Sequence, residues 1–265
     1  MKAEMEVRTA NRISSCGAIL AVLLLNFRST GVATVTSSAP LTTAQVVERM
    51  VAMNRARAEA LRGYTATCVY HVENADHDRS ADLVVKIAYL SPNRKESTII
   101  SWSGSSALRN YVLNRLREGE LEAMQEENRR RTDMNPENYD FTLVGYERTG
   151  PNNFYVMEVV PKIKNKFLFR GRIWVDAQDF GITRMEGAPA KNPSWWTTHI
   201  EVDHSYCKVG DFWLPSRIES VAQVRLFGRS VLTIIYKDYK LIEAHPIETP
   251  TLASALPLGT RVTKN

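Results

Sequence analysis

The sequence predicts a mainly β protein (α+β): a curled, half-open antiparallel β-barrel of about ten strands, covered by two helical segments. Three observations predict this class. Apolar and polar residues alternate after Gly63 and again through most of the chain after Pro136, as they do in half-buried strands. Short turns rich in Gly, Pro, Asn and Asp separate these segments, so consecutive strands must be antiparallel neighbours. Two segments with helical spacing interrupt the strands.

Residues 1–33 have the layout of a secretory signal peptide. Arg8 and Arg12 precede the uncharged apolar segment 13–27, and small residues follow it as far as Ala33. This order predicts cleavage after Ala33 and a periplasmic location for the mature protein. The apolar segment is shorter than the about 20 residues of a membrane-spanning helix. An uncleaved signal that anchors the chain to the inner membrane is the alternative.

A polar connector at residues 34–41 leads into the first helix, which Thr42 or Thr43 begins and which extends to about Arg62. Apolar residues recur along it near helical spacing, and Arg and Glu side chains occupy its other side. Gly63 ends it. The apolar residues of this stripe are Val46, Val47, Met50, Met53 and Leu61.

Alternation predicts ten strands within a single domain at residues 42–244, followed by a loose tail at 245–265. The second helical segment begins at Ser105 or Ser106, and its continuation 118–131 is strongly charged, as in a solvated helix or a mobile extension. Its apolar stripe is Leu108, Tyr111, Val112 and Leu116. The predicted strands are 64–73, 83–89, 97–102, 139–148, 154–160, 167–175, 182–186, 197–208, 212–226 and 229–242.

Composition and charge exclude nucleic acid as a partner. The chain is 44% hydrophobic and 24% charged, with a net charge of +5. Non-specific DNA binding requires a dense basic face that displaces counterions, and this excess is mild and dispersed. The one basic run, 129–131, ends a mixed-charge helical segment, where cations favour a helix C-terminus.

No motif predicts an enzyme, a metal site or a cofactor. The sequence has no Gly-x-Ser-x-Gly elbow, no phosphate-binding glycine loop, no dinucleotide fingerprint and no Cys-x-x-Cys. His199, Glu201 and Asp203 would share one strand face, which is typical of a solvent-facing polar row. The run 76–78 (DHD) falls in a predicted turn, where Asp is expected without a metal. We therefore predict a non-catalytic protein.

Two cysteines, Cys68 and Cys207, lie in predicted strands of the exported part. An oxidising compartment would permit a disulfide between them, but pairing cannot be read from sequence. Two buried free thiols are the favoured interpretation, because cysteine is among the most buried residue types.

Several motifs resemble the LolA/LolB-like superfamily of periplasmic outer-membrane lipoprotein carriers and receptors. They are the strand Phe169–Asp176 (FRGRIWVD), the turn 177–181 (AQDFG), the strand 182–186 (ITRME) and the later run 209–215 (VGDFWLP). The order of signal, helix, strands, inserted helix and long meander also agrees. One departure is that the early strand 64–73 has no arginine to match the one that latches the lid of the carriers.

The resemblance implies a hydrophobic cavity between sheet and helices that holds the acyl chains of a lipoprotein or another lipid, in a monomer. Each methylene removed from water contributes about 0.8 kcal/mol. A sensory or interaction module that regulates a membrane partner is the alternative. Trp195 and Trp196 fall in a predicted rim loop, where an exposed pair would suit transient contact with a membrane surface or membrane protein. The candidate cavity residues are Tyr70, Val85, Ile87, Trp102, Leu108, Tyr111, Tyr155, Met157, Ile173, Trp174, Val202 and Tyr206.

Overall fold

The structure is a computed structural model that describes residues 41–92, 94–110, 114, 133–192, 197–225 and 228–242. It contains helix α1 (Thr43–Ala60), a second helix of which residues 106–110 and 114 are described, and ten strands in one sheet. The strands are β1 (Gly63–Asn74), β2 (Arg79–Leu90), β3 (Arg94–Gly104), β4 (Tyr139–Thr149), β5 (Asn152–Pro161), β6 (Phe169–Asp176), β7 (Ile182–Pro189), β8 (Thr197–Val209), β9 (Phe212–Val224) and β10 (Gly228–Ile242). The predicted mainly β class with about ten strands is confirmed.

The sheet is antiparallel and not closed, in the order β3-β2-β1-β10-β9-β8-β7-β6-β5-β4. Strands joined by short turns are neighbours, as predicted. The pairing of β1 with β10 joins the two ends of the described chain, from Gly63 opposite Ile242 to Asn74 opposite Ser230. Consequently β3 and β4, which follow one another in sequence, form the two opposite edges of the sheet.

Helix α1 begins where the sequence predicts it, because Thr42 caps it. The Thr42 hydroxyl accepts a hydrogen bond from the Gln45 backbone N–H, and Gln45 Oε1 accepts one from the Thr42 backbone N–H, which forms a capping box. The helix ends at Ala60, two residues before the predicted end, because Leu61 is already extended. Gly63 instead opens β1, where a Cβ would overlap the backbone oxygen of Tyr89 on β2.

The apolar stripe of α1 packs on strands β4–β7 and forms one core. Val46, Val47 and Met50 lie there among fully buried residues of the sheet. This burial supplies the free energy that holds α1 on the sheet, since most of the stability of a helix in a protein comes from packing of its apolar face. The other buried members of this core are Tyr139, Met157, Val159, Leu168, Ile173 and Val175, of which Leu168 directly precedes β6 and the rest lie in strands.

A second core lies on β1 and β2, with apolar side chains of β10 beside it. Its residues are the alternate positions of the two strands, as the predicted hairpin requires. Leu108 of the second helix packs against it. The fully buried members are Ala66, Cys68, Tyr70, Val72, Ala81, Leu83, Val85 and Ile87. A smaller cluster of Ala60, Phe212 and Leu214 joins the end of α1 to β9.

Cys68 and Cys207 are both free thiols; Cys68 is buried, as the favoured interpretation predicts, whereas Cys207 is half-buried. Cys68 lies on β1 and Cys207 on β8, with β10 and β9 between them. Three strand spacings place their Cα atoms about 14 Å apart, whereas a disulfide needs Cα atoms within about 7 Å. The fold therefore prevents a disulfide between Cys68 and Cys207.

Several sequence predictions concern residues outside the described ranges. They are the signal peptide at 1–33, the connector up to residue 40, Tyr111, the charged segment 118–131, the pair Trp195 and Trp196, and the tail at 245–265. Within the part of the chain that the structure describes, no helix combines the length and hydropathy that crossing a membrane requires.

Candidate functional site

A cavity of about 280 Å³ separates the second half of α1 from strands β7, β8 and β9. Helix α1 contributes one wall and the three strands contribute the other. The wall residues are mostly apolar, and two polar side chains of α1 interrupt them. The lining consists of Asn54, Arg57, Ala58, Leu61, Ile182, Tyr206, Phe212, Trp213 and Leu214.

Arg57 ties α1 to two turns of the sheet. Its side chain is only 9% exposed. Its Nε donates to the backbone oxygen of Asp211 at 3.2 Å, and its Nη2 donates to the backbone oxygen of Asp179 at 2.7 Å. Nη2 also lies 3.2 Å from Asp179 Oδ2. The third nitrogen, Nη1, has no hydrogen-bond partner, although Arg57 lines the cavity.

The turn that contains Asp179 is stabilised by hydrogen bonds to its own carboxylates. Asp176 accepts hydrogen bonds from the backbone N–H groups of Gln178 and Asp179. The Asp179 carboxylate accepts from Trp213 Nε1 at 3.0 Å and from Lys208 Nζ at 2.7 Å. Burial alone would raise the pKa of Asp179, but the hydrogen bonds from Lys208 and the backbone of Gly181, together with Arg57, lower it overall. Asp179 is therefore ionised at neutral pH.

Tyr206 and His204 of β8 form a polar pair beside the cavity. Their rings stack at 4.2 Å between centroids, and the Tyr206 hydroxyl lies 3.2 Å from His204 Nδ1. The same hydroxyl donates to Met185 Sδ at 3.3 Å. Burial lowers the pKa of His204 to about 4 and raises that of Tyr206. Both side chains are therefore neutral at pH 7, and His204 Nε2 has no hydrogen-bond partner.

Most predicted cavity residues lie in the two cores. Met157 and Ile173 are buried beneath α1, and Tyr155 packs beside them and stacks on Phe180 at 6.2 Å. A second group lies about the β1–β2 core: Tyr70, Val85, Ile87 and Leu108. Of the predicted candidates that the structure describes, Tyr206 is the one that lines the cavity against α1.

The remaining candidates lie elsewhere. Trp102, on edge strand β3, is 48% exposed, and the Arg109 guanidinium lies 4.1 Å from its ring centre. The Trp174 Nε1 donates to Glu147 at 2.9 Å, and Arg184 lies 4.8 Å from the Trp174 ring centre. Charged side chains therefore surround Trp174. Trp174 and Ile173 lie on opposite faces of β6, because adjacent residues of a strand point in opposite directions.

Val202 lines a second, charged groove of about 440 Å³ along strands β5–β9. The Arg184 guanidinium pairs there with Asp203 at 2.6 Å and with Glu186 at 3.2 Å. Such ionised walls are unsuited to an acyl chain, because desolvating them would be costly. The charged lining residues are Glu158, Arg172, Glu186, Glu201, Asp203 and Glu219.

Sequence reasoning missed Arg57, which it assigned with the other charged residues to the outer side of α1. The signal was available in the spacing. Positions 46, 50, 53, 57 and 60 follow one helical stripe, and Arg57 occupies the fourth of them. Arg57 is buried because Asp179 and two backbone oxygens of distant turns accept its hydrogen bonds. The sequence near Arg57 does not indicate that these acceptors are present.

No family model matches the sequence, and no curated protein matches it. Solved structures do resemble it. The chain is similar to a LolA superfamily protein from Nitrosomonas europaea, with 12% identity, 78% of this chain and 96% of that chain covered, and a TM-score of 0.35. It is similar to an outer membrane lipoprotein-sorting protein domain from Vibrio parahaemolyticus, with 12% identity, 74% and 93% covered, and a TM-score of 0.39.

A chain of the MucA/MucB complex from Pseudomonas aeruginosa is also similar, with 12% identity, 71% of this chain and 93% of that chain covered, and a TM-score of 0.24. The first of these names is that of the superfamily that the sequence motifs resemble. At these identities and TM-scores nothing about a ligand or a partner follows from the likeness.

Proposed function

We propose that this chain is an exported, non-catalytic carrier that holds acyl chains of a lipoprotein or of another lipid between its sheet and α1. The cavity between α1 and strands β7–β9 is the observation that carries this proposal. Its walls are mainly apolar, with Leu61, Ile182, Phe212 and Leu214 among them. Apolar walls with a few placed polar groups are what small-molecule sites have.

The size of the cavity limits how much of a lipid it accommodates. At about 280 Å³ it lies just below the range of about 300–1,000 Å³ that is common for ligand pockets. It therefore suits one end of an acyl chain. Each methylene that leaves water contributes about 0.8 kcal/mol.

The titratable groups support a binding role rather than catalysis. Burial raises the pKa of the Cys68 thiol to about 11 and also raises that of Cys207, so neither is a thiolate nucleophile at neutral pH. His204 is neutral, and its neighbour Tyr206 holds its proton more tightly than a free tyrosine. An acid, a base and a nucleophile that converge on one point would favour an enzyme, and these groups form no such set.

The first test is to express the full chain in a bacterium, recover the exported protein and analyse co-purifying lipid by mass spectrometry. We expect a stoichiometric lipid or acylated peptide. We also expect an N-terminus at residue 34 and recovery from the periplasm. Recovery from the inner membrane with an intact N-terminus would instead support the anchored form.

A cavity-blocking variant tests the location of the site. Ala58 lines the cavity yet is exposed on α1, so Ala58→Phe places a ring at the cavity mouth without disturbing the core. We expect this variant to lose most uptake of a fluorescent fatty-acid probe. The matched control is Glu59→Phe, at an exposed position of the same turn that does not line the cavity. Equal uptake by both variants would place the ligand elsewhere.

A sensory or interaction module is the second candidate. It is favoured by the way the protein's own side chains fill both cores, with Met50, Met157 and Ile87 fully buried. In that case the exported protein would be recovered free of lipid and would not take up the probe. The carrier proposal would then fail.

A further inference from the structure

We propose that the free edge of β3 docks on an anionic phospholipid bilayer through a strip of apolar side chains that has a cation at each end. The apolar strip consists of Ile99, Ile100 and Trp102, and the cations are Lys95 and Arg109. This inference goes beyond the carrier function and holds whether or not the cavity beneath α1 takes up a lipid.

The register of β3 against β2 places the apolar strip on the face of the sheet that carries the β1–β2 core. Trp102 lies opposite Leu83, and Ile99 lies opposite Val85. Both partners are buried in that core. Ile100 is the extra residue of a bulge between these two pairs. The apolar surface of the core therefore continues to the edge of the sheet, where Ile99, Ile100 and Trp102 remain 46%, 60% and 48% exposed.

The apolar strip has one cation at each end. Lys95 lies on the same face of β3 as Ile99, because alternate residues of a strand share a face. At the other end, the Arg109 guanidinium lies 4.1 Å from the Trp102 ring centre. The one carboxylate of β3, Glu96, lies on the opposite face, where it pairs with an arginine. The surface that this edge presents is therefore apolar in the middle and basic at both ends.

The spacing of the cations favours a lipid surface over a single lipid. Lys95 and Trp102, on which Arg109 lies, are about 20 Å apart along the extended strand. The headgroup of one phospholipid cannot reach both cations, whereas a bilayer presents phosphates along the whole strip. Apolar side chains between cations are typical of interfacial segments, because the cations remain among the headgroups while the apolar groups enter the acyl boundary.

The edge strand would lie at the membrane interface and would not cross the hydrocarbon. Its outward backbone groups have no strand partner, since β3 pairs with β2 alone. Such groups are costly in hydrocarbon, but water and headgroups satisfy them at the interface. Tryptophan side chains such as Trp102 are enriched at this depth in membrane proteins.

A second copy of the chain is the competing occupant of this edge, and charge opposes it. Two β3 edges that pair antiparallel around a two-fold axis bring Lys95 of one molecule towards Arg109 of the other. Like charges opposite one another in a sheet are destabilising, whereas an anionic surface neutralises both cations. Self-association through β3 should therefore be weaker than docking on anionic lipid.

Co-sedimentation with vesicles tests the inference on the purified exported protein. One set of vesicles is pure phosphatidylcholine, and the other contains equal parts of phosphatidylcholine and phosphatidylglycerol. We expect about tenfold tighter binding to the anionic vesicles in dilute buffer, since two cations close to an anionic surface contribute at least this factor. Added salt should reduce the difference. Equal binding to both sets, or no binding, would overturn the proposal. The carrier function would be unaffected, because uptake of the fatty-acid probe measures it separately.

Two lysine variants test which face of the sheet docks. Lys95→Gln should weaken binding to the anionic vesicles about fivefold, because it removes one of the two cations of the strip. The matched control is Lys86→Gln, which changes an exposed lysine of β2 between two buried core residues and therefore on the other face of the sheet. This control should bind as the wild type does. Equal weakening in both variants would assign the binding to the net charge of the protein and contradict the proposal.

The apolar part of the strip is tested by Ile99→Ser. We expect about fivefold weaker binding to the anionic vesicles, because the half-exposed side chain no longer enters the acyl boundary. The control Ile163→Ser changes an isoleucine that is similarly exposed outside the strands, and it should leave binding unchanged. If Ile99→Ser abolishes self-association but leaves vesicle binding intact, the edge serves a second copy of the chain and the proposal is overturned.

Discussion

Single polar residues determine how the cavity wall is built. Arg57 links α1 to the turns that contain Asp179 and Asp211, and Asp179 is shared among Arg57, Lys208 and Trp213. Removing one partner of a buried, hydrogen-bonded charge leaves the other without compensation, which is more costly than losing an exposed ion pair. The position of α1 over the cavity therefore depends on a few contacts far apart in sequence.

His204 should make the protein sensitive to acid. Its pKa in the folded protein is about 4, below the usual 6.5, so the unfolded chain binds a proton more readily. The stabilisation is complete above pH 6.5 and is lost as the pH falls towards 4, with a limit of about 3 kcal/mol. Urea unfolding between pH 4 and 7 would measure this loss, and His204→Phe should abolish it. Parallel pH profiles for the two proteins would contradict the assignment.

Gly181 should tolerate no larger residue, because it makes room for Trp213. A Cβ at position 181 would overlap the Trp213 ring, so Gly181→Ala displaces the indole from Asp179. We expect a loss of about 1–3 kcal/mol in unfolding free energy, as is typical of overpacking, together with a change in tryptophan fluorescence. The matched control is Gly145→Ala, where the nearest atom to the new Cβ is Val156 Cβ at 3.8 Å. Equal losses in both variants would rule out the clash as the cause.

At the scale of secondary-structure elements, the β1–β2 hairpin carries a pH-dependent link between its strands. His71 of β1 lies 2.7 Å from Asp82 of β2 and 2.7 Å from Glu73 of its own strand. Hydrogen bonds that the His71 ring donates to the carboxylates of Glu73 and Asp82 raise the pKa of His71 above 6.5. The imidazolium therefore stabilises the hairpin below pH 6.5, and this contribution is lost as the pH rises through the raised pKa.

The expected result is a decrease in unfolding free energy above pH 6.5 that is absent in His71→Gln. Denaturant titrations between pH 6 and 9 measure it. His199→Gln, which changes another surface histidine bound to a glutamate, is the control and should retain the decrease. A decrease of the same size in His71→Gln would assign the pH dependence to other groups.

At the scale of the whole molecule, strand positions and the pairing of strands across short turns follow from local pattern, but the pairing that joins β1 to β10 does not. The alternation predicted a strand at 139–148, and β4 spans Tyr139–Thr149. The pairing of β1 with β10 has no local signal, because it joins the two ends of the domain. The burial of Arg57 was missed because its hydrogen-bond acceptors, at Asp179 and Asp211, are likewise far away in the sequence. By contrast, the opposite faces of Ile173 and Trp174 follow from strand geometry alone, so both could not have lined one cavity.

The open sheet has two edge strands, β3 and β4. The β3 edge exposes three large apolar side chains through which two molecules could associate. Ile99, Ile100 and Trp102 are 46%, 60% and 48% exposed there. An exposed apolar edge strand presents unpaired backbone groups to another chain.

We expect a monomer at low concentration and reversible self-association at high concentration, which sedimentation velocity would measure. Ile100→Lys should suppress the association, because charge on an edge opposes pairing. Ile163→Lys, at a residue that is 53% exposed outside the strands, should leave it unchanged. A wild-type protein that remains monomeric at all concentrations would contradict this prediction.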